Sequence, residues 1–209
     1  MEASRSASGA KARPAERAYH HGNLRAKLIE ATAELIETHG PDGFSVAQAA
    51  RAAGVSSAAP YRHFSDRDAL MRAVSLDTIH RMRDAMRAAS LSEDKRSPER
   101  IVALGRCYCD FAAAEPGLFR MMFGLTEGHA DDEGLIAEGA KTLDVLIEAV
   151  ADVMGDDVGS DAVRGRALQL WSFVHGLSFL TIDRKLDESG IEANREWMLR
   201  DVGERLLKG

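Results

Sequence analysis

The chain has 209 residues, of which 45% are hydrophobic and 29% are charged, an ordinary balance for a globular protein. It has no stretch of the roughly 18 to 20 apolar residues that a membrane span requires, and its basic N-terminus lacks the apolar segment of a secretory signal. The two cysteines, Cys107 and Cys109, are too few for a disulfide framework, so we expect a cytoplasmic protein with no membrane partner.

Charge is distributed unevenly along the chain. The formal net charge is −6, yet residues 1–75 carry ten basic against eight acidic side chains, and residues 1–29 carry six against two. Positive charge gathered at one end is the footprint expected of a phosphate-contacting surface. A solvated tail on an otherwise acidic protein is the alternative interpretation.

The N-terminal segment predicts an arm followed by a helix. Residues 1–22 are rich in Ala, Ser, Arg and Gly without periodicity at their start, so we expect a disordered basic arm. Leu24, Leu28, Ala31 and Leu35 then form one apolar helical face, with Asn23 as the predicted N-cap. Gly40 and Pro41 are typical of the end of that helix.

Two very short helices are predicted next. Ser45 and Gln48 have the spacing of a capping box, and small residues follow up to Ala53. Gly54 permits a sharp turn, after which Ser56 or Ser57 caps a second helix that extends to about Phe64. These are helix-turn-helix proportions, with an ordinary helical hairpin as the alternative.

Only helices are predicted beyond this point. A long helix capped by Ser65 or Asp66 runs to about Ala89, and no later segment shows sustained alternation of apolar and polar residues. The later helices are predicted around residues 99–114, 118–123, 135–154, 162–186 and 191–207. The fold class is therefore all-α, with about nine helices in total.

Residues 24–70 resemble a known DNA-binding domain along their whole length. The turn from Gly40 to Gly43 with Phe44, the Gly54-Val55-Ser56 turn and the Tyr61-x-x-Phe64 signature are similar to those of the TetR family of transcriptional regulators. Ala58 and Pro60 depart from the residues common at these positions. The resemblance implies a three-helix DNA-binding domain at 23–68, followed by a ligand-binding and dimerisation domain at 69–209.

The resemblance also implies roles for individual side chains on double-stranded operator DNA. The residues that would approach base edges are Ser57, Ala58, Ala59 and Arg62, and Arg62 is the candidate for a bidentate contact to guanine. The residues that would contact phosphates are Ser45, Tyr61, His63 and Arg67. Lys11, Arg13 and Arg17 of the arm are candidates for the adjacent minor groove.

The C-terminal half is similar to one TetR subgroup through Trp171, His175 and Gly176. This similarity implies a site for an unidentified small-molecule effector, formed by aromatic, sulfur-containing and polar side chains. The candidate ligand-binding residues are Cys107, Tyr108, Phe111, Met122, Phe123, Trp171 and His175. For any single one of them, an ordinary core position is the favoured interpretation.

The predicted helix at 162–186 is apolar on two opposite faces, so it must be buried twice. One face would serve the chain's own core and the other a second copy of the chain in a homodimer. Together with the final helix, the residues predicted to meet the partner are Leu170, Phe173, Val174, Leu177, Met198, Val202 and Leu206. A central helix in a monomer is the alternative.

The motifs together favour a repressor that a ligand releases from a pseudo-palindromic operator. No phosphate loop, metal-ligand spacing or flanked nucleophile is present, so we expect no enzyme, cofactor or metal. Two alternatives stay open: a redox-responsive regulator acting through Cys107 and Cys109, and a ligand-binding relative that no longer binds DNA. The two cysteines are two apart in a helix, so their side chains diverge and cannot pair with each other.

Overall fold

The computed structural model describes residues 14–123, 132–190 and 194–208, with the backbone alone for 14–23 and 208. Every regular element in these ranges is helical, as the sequence predicts, and none of the helices is long and apolar enough to span a membrane. The α-helices are α1 Pro14–His39, α2 Val46–Ala52, α3 Arg67–Leu91, α4 Glu99–Ala114, α5 Pro116–Phe123, α6 Glu133–Met154, α7 Asp161–Ile182, α8 Lys185–Glu188 and α9 Arg195–Lys208.

The first helix begins earlier than predicted. It starts at Pro14 rather than at the Asn23 cap, so residues 14–22 of the predicted arm are helical. Proline suits the first helical position because its missing N–H would have no helical partner there, and alanine, glutamate and arginine follow it. The rest of the predicted arm, with Lys11 and Arg13, lies outside the described residues, as does the side chain of Arg17.

The predicted capping box at the start of α2 is confirmed. The Ser45 hydroxyl accepts a hydrogen bond from the Gln48 backbone N–H at 3.2 Å, and the Ser45 N–H donates to Gln48 Oε1 at 2.8 Å. Ala49 and Ala50 are fully buried against α1, which small side chains allow at a close helix crossing. Gly54 then turns the chain at a φ of +72°, a conformation that side chains other than glycine rarely adopt.

The second short helix is a single 3-10 turn, Pro60–Arg62, rather than an α-helix capped by Ser56 or Ser57. Its hydrogen bonds run mainly between residues three apart, as from the Arg62 N–H to the Ala59 carbonyl at 3.2 Å. Pro60 explains the difference, because its nitrogen has no hydrogen to donate to the preceding turn. Its ring is fully buried and fixes the segment to the scaffold.

Helix α3 passes through both cores of the molecule. It begins at the predicted Asp66 cap, whose carboxylate accepts from the Ala69 N–H at 2.7 Å. Its first turns contribute Leu70 and Val74 to the core of the N-terminal region, and its later turns contribute Met82 to the core of the C-terminal region. The predicted boundary between residues 68 and 69 therefore falls inside a continuous helix that joins the two regions.

The remaining helices form a layered helical domain around a core that includes Tyr108 and Phe119. Helix α4 packs between α3 and α7, while α9 lies across α4 and α7. The predicted last two helices are split differently: α7 ends at Ile182, the separate turn α8 follows, and α9 begins at Arg195. Ile191 and residues 124–131 lie outside the described residues.

Candidate DNA interface and ligand cavity

The turn after Gly54 presents the predicted base-reading side chains outward. Ser57, Ala58 and Arg62 are exposed, and Tyr61 keeps 59% of its surface accessible, an unusual degree for a large aromatic residue. Ala59 is half-buried. An exposed tyrosine beside an exposed arginine, on a rigid turn, forms a surface suited to contacts with a polyanion.

Two buried residues hold this surface in place. Pro60 is fully buried, and Phe64 retains only 5% exposure, so Tyr61 and Arg62 project between two anchors. The Arg25 guanidinium lies over the Phe64 ring, 5.4 Å from its centroid. The sequence interpretation did not assign Arg25 a role, although it adds an exposed cation beside the 3-10 turn.

The predicted phosphate-contacting residues differ in how much of each side chain is free. Ser45 is exposed, but its hydroxyl is engaged by Gln48 in the capping box. The Arg67 guanidinium donates to the Pro41 carbonyl and lies 4.9 Å from the centroid of the Phe44 ring. Arg67 therefore stabilises the turn between α1 and α2, and any phosphate contact it makes would be additional. His63 is half-buried, with its ring 6.5 Å from that of Phe64.

A cavity of about 510 Å³ lies inside the C-terminal region, between α3, α4, α5, α6, α7 and α9. This volume is within the range of roughly 300 to 1,000 Å³ that is typical of small-molecule sites. Four of the predicted ligand-binding residues line it, namely Tyr108, Met122, Phe123 and Trp171. The sequence therefore located the cavity wall on α4, α5 and α7.

The other three predicted ligand-binding residues lie outside the cavity wall. Cys107 and Phe111 are half-buried against the core, and Phe111 lies beneath the Arg81 guanidinium at 5.7 Å. His175 lies behind Tyr108, in contact with the rings of Phe123 at 4.6 Å and Phe179 at 4.9 Å. Helical periodicity indicates which residues point inward, but it does not distinguish a cavity wall from solid core.

His175 organises a small polar network beside the cavity. The Trp171 Nε1–H can only donate, so at 3.3 Å it donates to the Tyr108 hydroxyl oxygen. The Tyr108 hydroxyl is also hydrogen-bonded to His175 Nδ1 at 2.8 Å, and the imidazole tautomer decides which of the two groups donates. Burial lowers the pKa of His175 and raises the pKa of Tyr108, so both groups are neutral in this network.

The sequence interpretation missed the cavity residues contributed by α3 and α6. On α3, Ile79, Met82 and Met86 have the spacing of ordinary core residues, and Ser75 belongs to no recognised motif. Ser75 lies on the same helical face as these residues, so a hydroxyl at a core-facing position was the available signal. The cavity residues contributed by α6 are Leu135, Ile136, Gly139, Ala140, Thr142, Leu143 and Leu146.

Comparison with known proteins matches both regions. Residues 28–74 match the model of bacterial regulatory proteins of the tetR family, and residues 101–202 match the tetracyclin repressor-like C-terminal domain. The chain belongs to the TetR family. Its predicted membership and all-α fold are thereby confirmed.

Individual relatives are distant. The HTH-type transcriptional regulator Rv1816 of Mycobacterium tuberculosis is 26% identical over 137 residues, which cover 61% of this chain and 56% of the relative. The nucleoid occlusion factor SlmA of Aliivibrio fischeri is 31% identical over 49% of this chain and 52% of its own length. The chain thus spans about half the length of these curated relatives.

Solved structures extend the similarity to almost the whole fold. A protein of unknown function from Rhodococcus sp. RHA1 has a TM-score of 0.76 at 27% identity, covering 93% of this chain and 98% of that one. A putative TetR-family transcriptional regulator from Mesorhizobium loti has a TM-score of 0.67 at 17% identity, covering 90% and 94% respectively. The second likeness concerns the fold alone.

In this TetR-family chain, α5 connects the cavity to the DNA-binding region. Its N-terminal N–H groups, on Gly117 and Leu118, donate to the Glu37 carboxylate of α1 at 3.0 and 2.7 Å. Leu118 and Met121 pack in the N-terminal core, while Phe119 packs in the C-terminal core. Met121 also lines the cavity, so one short helix contacts both the cavity and the N-terminal core.

The structure corrects part of the predicted dimer interface. Leu170, Val174 and Leu177 are at most 8% exposed and pack in the chain's own core, so they have almost no surface left for a partner. The other predicted interface residues are half-buried against the same core: Phe173, Met198, Val202 and Leu206. The opposite face of α7 is the open one, with Leu168 at 55% and Leu180 at 45% exposure.

Proposed function

We propose that this TetR-family regulator is a homodimeric repressor that binds a pseudo-palindromic operator and is released from it by a small molecule. The observation that carries the proposal is the shared helix α5, which walls the cavity and is bonded to α1 of the DNA-binding region through Glu37. Cavity occupancy and the position of the DNA-binding helices are then mechanically connected.

On the DNA side, the exposed turn after Gly54 would enter the major groove. Arg62 would donate two hydrogen bonds to one guanine, while Ser57, Ala58 and Ala59 lie close to neighbouring base edges. Tyr61, His63, Ser45 and Arg67 would set the register on the phosphates, and Arg25 is added to this set because of its place beside Phe64.

The dimer would form through the open face of α7. Gly165, Leu168, Ser172, Gly176 and Leu180 follow one another at spacings of three and four residues, so they share this face. Beyond its own helix backbone, a Cβ added at Gly165 or Gly176 would meet no atom within 4 Å, which leaves room for a second helix to approach closely. A two-fold dimer aims two turns at grooves about 34 Å apart, which is why we expect a pseudo-palindrome.

Release would follow from differential binding. A ligand that fits the cavity only when α5 is displaced stabilises an arrangement in which the two turns no longer match successive grooves. Simultaneous engagement of both half-sites is then lost, and the apparent affinity falls by orders of magnitude although each single contact is unchanged. Such a ligand lowers operator affinity without touching DNA.

The redox alternative is less well supported. Burial raises the pKa of both thiols, with a further contribution from Asp110, so the reactive thiolate is disfavoured. Cys109 is only 4% exposed. A relative without DNA binding is disfavoured because the family's phosphate-contacting residues Ser45, Tyr61, His63 and Arg67 are all present, and Tyr61 and Arg62 are exposed.

The test is a gel shift with DNA from upstream of the chain's own gene, at two salt concentrations. We expect a shift that weakens steeply with salt, because each phosphate contact adds about 0.9 to the logarithmic slope. Tyr61→Ala should weaken binding to all sequences about equally, and Arg62→Ala should relax the preference at one base position, at about 1 to 3 kcal/mol. Arg87→Ala, at an exposed arginine on α3, is the control. An unchanged sequence preference in Arg62→Ala would contradict the assigned role.

A further inference from the structure

The described part of the cavity wall carries no charge. None of the described residues that line it is Asp, Glu, Lys, Arg or His, and most are aliphatic, aromatic or methionine side chains. An ionised group placed there would lose its hydration without gaining a partner, which is costly in an apolar environment. The methionines Met82, Met86, Met121 and Met122 can adapt their shape to an apolar occupant.

The few polar groups of the wall are engaged within the protein, with one exception. Trp171 donates to the Tyr108 hydroxyl, which is also hydrogen-bonded to His175, and the Thr142 hydroxyl donates to the Glu138 carbonyl at 3.3 Å. Ser75 has 3% exposure, and its hydroxyl makes no hydrogen bond to any described residue. A buried hydroxyl without a partner is rare, because it loses its hydrogen bonds to water and no hydrogen bond within the protein replaces them.

Two other buried hydroxyl groups differ from that of Ser75, because each makes a hydrogen bond within its own helix. Thr78, one turn further along α3, donates to the Val74 carbonyl at 2.9 Å, and Thr32 of α1 donates to the Leu28 carbonyl at 2.6 Å. This bond to the preceding turn is the usual way for a buried helical hydroxyl to be satisfied. Ser75 lines the cavity and does not make this bond, so its hydroxyl has no partner among the described residues to give up when it pairs with an occupant.

We propose that the cavity binds an uncharged, largely apolar molecule with one hydrogen-bonding oxygen, a hydroxyl or carbonyl, that pairs with the Ser75 hydroxyl. This inference rests on the ligand site of the proposed function and defines its chemical class. Ser75 directly follows Val74, which belongs to the N-terminal core, so the ligand's polar group is held where α3 passes from one core to the other.

The test uses three probes with the same ten-carbon chain: 1-decanol, decanoate and decyltrimethylammonium. The chain has two tryptophans, so in a Trp197→Phe background Trp171 in the cavity wall is the only tryptophan, and its fluorescence reports binding. We expect saturable binding of 1-decanol at pH 8 that is at least about tenfold tighter than binding of either ion. Ser75→Ala should weaken the binding of 1-decanol about fivefold, the worth of one ordinary hydrogen bond.

Thr142→Val is the matched control, because it removes a cavity hydroxyl that is already bonded within its helix. Its effect on 1-decanol should be below about twofold. Binding of decanoate as tight as that of 1-decanol, or an effect of Ser75→Ala no larger than that of Thr142→Val, would overturn the inference. The titration contains no DNA, so its failure is distinguishable from a failure of operator binding or of release.

Discussion

The bond between α1 and α5 can be tested by removing the Glu37 carboxylate. Its two hydrogen bonds, to the N–H groups of Gly117 and Leu118, are charge-assisted and half-buried. Bonds of this kind contribute about 1.5 to 3 kcal/mol each when fully sheltered. Water can reach the vacated N–H groups in part, so we expect Glu37→Ala to lower the free energy of unfolding by about 2 to 3 kcal/mol in total. Glu37→Gln keeps an acceptor oxygen and should cost about 1 kcal/mol.

The assay pairs urea unfolding with operator affinity. Glu34→Ala is the matched control, an exposed glutamate one turn earlier on α1 that should change stability by less than about 0.5 kcal/mol. At a temperature where Glu37→Ala remains folded, ligand should lower its operator affinity less than that of the unmodified protein, because α5 no longer pulls on α1. Equal losses of stability in Glu37→Ala and Glu34→Ala, or an undiminished ligand response in Glu37→Ala, would refute the reasoning.

Three further predictions concern the cavity and the dimer. Ser75→Ala should stabilise the ligand-free protein by about 1 kcal/mol, because it removes an unsatisfied buried hydroxyl. The expected change is a Tm higher by about 2 to 4 °C, and a lower Tm would mean that the hydroxyl has a partner. Burial lowers the pKa of His175 in the folded state, so the unfolded chain binds a proton more readily, and stability should fall as the pH drops below about 6.5. His175→Asn should reduce the change of the urea midpoint between pH 7 and pH 5, and an unaltered pH dependence would contradict this. Leu168→Glu should convert the proposed dimer to monomer in light scattering with little loss of monomer stability, whereas Leu91→Glu, at 79% exposure on α3, should leave it dimeric. A dimeric Leu168→Glu protein would exclude the open face of α7 as the dimer interface.

The features of the N-terminal region that depend on a few neighbouring residues were predicted correctly. The capping box of Ser45 and Gln48, the Asp66 cap and the turn at Gly54 each depend on a few neighbouring residues, and the structure contains all three. The 3-10 turn was missed because the sequence around it supports a helix, and Pro60 acts by removing one backbone donor. Pro60 departs from the residues common at this position, but local sequence alone does not indicate which type of helix results.

Long-range relations were harder to predict. Periodicity indicated that α7 has two apolar faces, yet it assigned Leu170 and Val174 to the partner although both are buried in the chain's own core. Nothing within a single helix distinguishes the face that meets its own domain from the face that meets a second copy. The same limit applies to Glu37, whose carboxylate caps a helix eighty residues later in the chain, as shown by its bond to Gly117.

The cavity was predicted in part for a related reason. Aromatic and methionine side chains on α4, α5 and α7 predicted one wall, with support from the family resemblance. The α3 wall reads as ordinary core, and Ser75 is conspicuous only once its missing hydrogen bond is known. Whether an inward-facing residue borders empty space depends on how several helices pack together, which no local pattern encodes.

Selection of bound sequences from random double-stranded DNA tests the central claim most directly. The account predicts an enriched inverted repeat whose half-site centres lie about 10 base pairs, or a multiple of that, apart along the duplex, matching a separation of about 34 Å between the two turns. Arg62→Ala protein should yield the same spacing with one base position relaxed. Enrichment of an isolated half-site, or no enrichment at low salt, would contradict a dimer that aims two exposed turns at one operator.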